Sequence, residues 1–102
     1  MTLAEVQQEI NKKPIVITYF SHDECNVCKV LKPQVREQVS EYEEAHFVYV
    51  NTKESPEASG QFMVFAVPTV IIFFEGREAK RYSRHLSLQE LREFLERLVA
   101  VV

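Results

Sequence analysis

Six consecutive β-branched or aromatic residues, Ile15-Val16-Ile17-Thr18-Tyr19-Phe20, constrain this chain more than any other feature. A run with no polar side fits a strand buried on both faces, which predicts a central strand in a sheet layered between helices. Pro14 stands directly before the run and ends the helix that precedes it. That first helix is predicted over about residues 3 to 12, from a Thr2/Glu5 capping-box pattern followed by Leu3, Val6 and Ile10 at helical spacing.

Past the run, Ser21-His22-Asp23-Glu24 breaks the pattern. Cys28, Leu31, Val35, Val39 and Tyr42 then trace one face of a long second helix, with Cys25 at or just before its start. Phe47-Val48-Tyr49-Val50 reads as a second strand, and Ser55-Pro56-Glu57 supplies an N-cap, a first-turn proline and an acid for a short third helix ending near Phe65. After Pro68, Val70-Ile71-Ile72-Phe73-Phe74 is a third strand. Glu75-Gly76 turns tightly into a charged fourth strand, residues 77–82, whose composition suits a sheet edge. Ser87 and Glu90 repeat the capping-box pattern before a last helix with Leu88, Leu91, Leu95, Leu98 and Val102 as its buried stripe.

Strands joined through a long helix run parallel with a right-handed crossover, and the late hairpin adds an antiparallel pair. The expected architecture is α/β, a four-stranded mixed sheet with helices on both faces, forming one domain over residues 1–102. A chain of this length can bury a single core without extra staples.

The formal net charge of −3 supplies no basic patch for nucleic acid or an acidic membrane surface. The N-terminal residues lack the basic and apolar stretches of a signal peptide, and the longest apolar stretch, residues 62–74, falls short of the ~18 residues of a membrane span. These features predict a soluble cytoplasmic protein, acting as a monomer on proteins or small molecules. In a reducing compartment its two cysteines stay thiols unless they have a redox or metal task.

Their spacing, Cys25-Asn26-Val27-Cys28 where a strand gives way to a helix, points to redox chemistry. Free N–H groups and the positive end of the helix dipole favour thiolate at the first cysteine, and the second lies one turn further along the same face, within reach of an S–S bond. A zinc site is the rival: His22, Cys25 and Cys28 form an H-x-x-C-x-x-C string, with His85 as the one attractive fourth ligand. Asp23 and Glu24 oppose the thiolate while Lys29 favours it. His22 is a candidate acid–base group near Cys25, and Glu24 a second one reached through water.

The chain resembles thioredoxins over nearly its whole length. Cys25-Asn26-Val27-Cys28-Lys29-Val30-Leu31-Lys32-Pro33 is similar to that family's active-site helix, Val67-Pro68-Thr69 to its cis-proline loop, and Glu75-Gly76 to its hairpin turn. The resemblance implies a thioredoxin-like fold and a thiol–disulfide oxidoreductase in which Cys25 attacks a protein disulfide and Cys28 resolves the mixed disulfide. It also implies that Val67, Pro68, Thr69 and Arg84 contact the substrate, that His85 lies near the active-site surface, that no cofactor is needed and that a separate reductase supplies electrons.

The departures mark a divergent member. Glu24 and Asn26-Val27 replace the family's tryptophan and Gly-Pro pair, and residues 1–14 lack its first strand. Tyr19 stands in the place of the buried aspartate and Tyr49 in that of its lysine partner, which makes Tyr19 and His85 further acid–base candidates. Arg84 replaces a glycine that leaves the substrate surface open, and is expected to narrow substrate choice. The alternatives are a redox-inactive binding module of the same fold and a metal-binding domain.

Overall fold

The computed structural model describes residues 1–102 and contains every predicted element. In chain order these are α1 (Leu3–Ile10), β1 (Ile15–Ser21), α2 (Asn26–Ser40), β2 (Ala45–Asn51), α3 (Pro56–Gln61), β3 (Thr69–Phe74), β4 (Arg77–Ser83) and α4 (Leu88–Val99). The sheet order is β2-β1-β3-β4. β1 pairs parallel with β2 and antiparallel with β3, and β3 pairs antiparallel with β4. All seven residues of β1 are buried, as a central strand requires.

Strand alternation sorts the core into two layers. Ile15, Ile17 and Tyr19 of β1, with Val70 and Ile72 of β3, pack against Cys28, Val35 and Val39 of α2 and Leu91 and Leu95 of α4. Val16 and Phe20, with Ile71 and Phe73, face Val6 and Ile10 of α1 and Ala58 of α3. Each fully buried aliphatic side chain contributes about 1.5–3 kcal/mol. Thr18 breaks the apolar series without cost, because its hydroxyl donates to the Ile71 carbonyl at 3.0 Å. Glu75 and Gly76 both have positive φ, 52° and 81°, the geometry of a two-residue type I′ hairpin. No helix is long and apolar enough to cross a membrane.

Helix ends depart from the sequence expectations for local reasons. α1 stops at Ile10, where Asn11 caps it with its own N–H and with a side-chain bond from Nδ2 to the Gln7 carbonyl at 2.9 Å. Ser55 holds the N-cap position of α3 but makes no capping bond; its hydroxyl donates to the Met1 carbonyl instead. Val102 lies beyond α4 and is exposed, so the fully buried part of that stripe is Leu91 and Leu95.

α3 ends at Gln61 rather than near Phe65. The Val64 N–H donates to the Ser59 carbonyl at 2.8 Å and the Met63 N–H to the Gly60 carbonyl at 3.1 Å, with Met63 left-handed at φ 53°. This is a Schellman ending, and its left-handed position is normally glycine. Arg81 of β4 fastens it, donating to the Phe62 carbonyl at 2.8 Å and the Met63 carbonyl at 3.1 Å. Because the Met63 side chain is exposed, Met63→Gly should relieve the backbone at little packing cost. We expect a gain of about 0.5–1 kcal/mol, read as a rise in Tm of about 2–6 °C. An unchanged or lower Tm would mean that the Arg81 bonds already absorb the strain.

Candidate active site

Cys25 is the N-cap of α2, with φ −89° and ψ 103°, and its Sγ accepts the Cys28 N–H at 3.2 Å. The sulfur occupies the place that a serine oxygen takes in an ordinary cap. α2 continues for 15 residues, straight through Pro33, so a long helix directs the positive end of its dipole at this sulfur. Cys25 and Cys28 are joined as a disulfide with Cα atoms 5.2 Å apart. Cys25 is half-buried, whereas Cys28 is 1% exposed and packed inside the α2/α4 core layer. A sulfur approaching from solvent therefore meets Cys25.

The β1/β3 register, with Phe20 opposite Thr69, sets the segment after β1 beside the segment before β3. His22 accordingly lines a small pocket with Thr52, Val64, Phe65, Ala66 and Val67. The Val67–Pro68 bond is cis. Val67 and Cys25 pack against the same core cluster that holds Cys28. Thr69 is buried, its hydroxyl donating to the Ala66 carbonyl at 2.6 Å, and the Pro68 carbonyl accepts the Arg84 N–H at 2.9 Å. One network thus ties the proline loop to the segment after β4. Arg84 and His85 line a groove beside Val27 and Val30 that shares no lining residue with the pocket of His22.

The acid–base candidates separate on inspection. Tyr19 is fully buried; its hydroxyl donates to the Cys28 carbonyl at 3.0 Å, and burial, aided by Tyr49, pushes the phenol up to about 12. It acts as a donor that ties β1 to α2. Glu24 points outward to Lys53, whose hydrogen bond holds the carboxyl below its ordinary value, so it keeps its charge without holding a proton. This pairing also offsets the negative charge beside Cys25. His22 Nδ1 accepts the Glu24 N–H at 3.3 Å. No three His, Cys, Asp or Glu side chains converge on one point in this structure, where Cys25 and Cys28 are bonded to each other.

The family model described as Thioredoxin matches residues 1–97. The chain belongs to the thioredoxin family. Curated thioredoxin relatives include Thioredoxin-like protein YdfQ of Bacillus subtilis, 27% identical over 97 residues, or 95% of this chain and 87% of that protein. The thioredoxin of Mycoplasmoides gallisepticum is 29% identical over 93 residues, 91% of this chain and 93% of that one. Among solved structures, thioredoxin 1 of Thermosipho africanus superposes with a TM-score of 0.78 at 32% identity, covering 84% of this chain and 96% of its own. Fasciola hepatica thioredoxin gives 0.83 at 28%, covering 94% and 93%. The fold and the thiol–disulfide oxidoreductase class follow from this membership and the Cys25–Cys28 pair.

Four features of this thioredoxin site escaped sequence reasoning. Phe65, placed at the end of a helix by its apolar neighbours, stands 87% exposed on the loop before Pro68. Val27 and Val30 are 64% and 67% exposed on α2; both fall off the Cys28–Leu31–Val35 stripe, a signal that was available. Lys53 reaches Glu24 across 29 residues, a contact no local pattern encodes. The Lys32 ammonium sits 3.5 Å over the Tyr49 ring, a cation–π contact under the active-site helix, and burial lowers its pKa.

Proposed function

We propose that this thioredoxin reduces or exchanges protein disulfides with Cys25 as nucleophile and Cys28 as resolving thiol, working as a monomer in the cytoplasm. The difference in exposure between two sulfurs on one helix turn carries the reading. The Cys25 thiolate attacks one sulfur of the substrate disulfide, forming a mixed disulfide and releasing the other sulfur as thiolate. Cys28, deprotonated, attacks Cys25 Sγ, expels the second substrate sulfur and leaves the Cys25–Cys28 disulfide. Two electrons pass to the substrate, and a dithiol-supplying reductase must return them. The reducing cytoplasm suits a dithiol that has to cycle.

Val67 and Arg84 form the substrate-facing rim in this reading, and Pro68 and Thr69, both buried, shape the loop behind it rather than touching the substrate as the resemblance implied. Exposed Val27 and Val30 on the cysteine helix and Phe65 on the proline loop favour a protein segment over a small polar disulfide. The Val67 backbone would pair with an extended substrate as an added strand. His22 and His85, which line separate pockets, are the acid–base groups left in contact with solvent.

The test is a redox titration with thiol counting. We expect no free thiols in the oxidised protein, two after reduction, and stoichiometric return to none on adding an oxidised protein substrate. Thiols that survive an excess of several protein disulfides would identify a redox-inactive binding module instead.

A further inference from the structure

Between the first turns of α2 and the segment joining β4 to α4 lies a groove of about 440 Å³. Val27, Val30, Leu31 and Leu86 give it an apolar lining, Gln34 and His85 are polar, and Arg84 supplies its charge. No carboxylate lines it, although the chain as a whole carries a net charge of −3. The Arg84 guanidinium makes no ion pair or hydrogen bond within the molecule, whereas Arg81 and Arg92 are both bound to glutamates. Its backbone is left-handed, φ 70°, a conformation that a non-glycine residue seldom keeps. Through its N–H it hangs on the Pro68 carbonyl, so the free cation starts beside the loop that faces the cysteines.

We propose that this groove is a subsite for protein substrates that carry an aspartate or glutamate and an apolar residue next to the disulfide under attack. Val27, Val30 and Leu86 cover the apolar side chain, and the Arg84 guanidinium pairs with the carboxylate. The strained backbone is retained because it aims a charge where glycine would leave none. The proposal rests on the oxidoreductase reading and adds its substrate class.

The test uses three peptides, each closed by one disulfide, identical except for glutamate, glutamine or lysine beside the attacked cysteine. For the reduced wild-type protein we expect kcat/KM to favour the glutamate peptide over the lysine peptide by about fivefold, through KM, with the preference shrinking as salt is added. Arg84→Gln keeps a side chain on the same backbone and Arg84→Gly relaxes it. Both should erase the preference, bringing the glutamate and lysine peptides to equal kcat/KM within each variant. No preference in the wild type, or the same preference in both variants, overturns the subsite. Failure to reduce any of the three peptides overturns the oxidoreductase reading itself.

Discussion

Cys25→Ser should bring disulfide reduction down to the uncatalysed background, whereas Cys28→Ser should yield a protein that becomes covalently bound to its substrates. A serine hydroxyl at the N-cap keeps the cap bond to the Cys28 N–H, so the fold is expected to survive. What disappears is the thiolate, the only nucleophile that an incoming disulfide meets, because the remaining sulfur is 1% exposed. In Cys28→Ser the exposed thiolate is intact and its attack proceeds, but nothing follows to break the new bond. Mixing each variant with an oxidised protein substrate and separating the products without reductant distinguishes them. We expect a reducible adduct with Cys28→Ser and none with Cys25→Ser. Adducts with Cys25→Ser alone would exchange the two roles.

The expectation that Cys25 leads and Cys28 follows rests on features with different visibility in the sequence. The central strand was legible because all six of its quoted residues are apolar or β-branched, and the Thr2/Glu5 capping box and the Ser87 N-cap because their bonds span three residues; the reciprocal Glu90 bond that a second box needs does not form. The left-handed turn at Met63 was not, since glycine is its usual marker and methionine conceals it. That one turn moves Phe65 from a predicted helix to an exposed loop beside Pro68. Long-range pairs were equally hidden: Glu24 looked like a negative neighbour of Cys25 until Lys53 occupied it. The buried layer under the cysteines was half-legible. Tyr19 and Tyr49 were seen to replace an acid and a base, but the hydroxyl on the Cys28 carbonyl and the Lys32 cation on the Tyr49 ring depend on helix placement over the sheet.

In the proposed mechanism that layer is expected to set the slow step. Cys28 must lose its proton before it can resolve the mixed disulfide, and it does so in a site nearly sealed from water. Tyr19, with its phenol pushed up to about 12, is not a base at neutral pH and spends its proton on a backbone carbonyl. Glu24 is held ionised by Lys53 on the outer surface. Mixed disulfides should therefore accumulate in the wild type, with their decay limiting turnover.

Tyr19→Asp should speed that decay by about tenfold or more near neutral pH, because it introduces a carboxylate beneath Cys28 that can accept the proton. Tyr49, the register partner of Tyr19, carries the Lys32 cation, so the new charge enters a layer that already holds an opposite one. Desolvation raises the introduced carboxyl above the ~3.9 of an exposed aspartate, so the acceleration appears as pH rises through that higher value. Stability moves the other way. Below about 3.9 the group is protonated in both states; above it the folded state holds the proton longer, and stability falls as pH rises towards the folded value. Losing the buried ring costs about 3–5 kcal/mol besides. Tyr19→Phe is the control: it keeps the ring, loses one hydrogen bond worth about 1 kcal/mol, and should leave decay unchanged. Single-turnover decay of the mixed disulfide in all three proteins, from about pH 6 to about pH 9, measures the rate effect, and denaturant unfolding over the same range measures the stability effect. Equal rates for Tyr19→Asp and wild type across that range would show that Tyr19 plays no part in removing the Cys28 proton, which then leaves by another route.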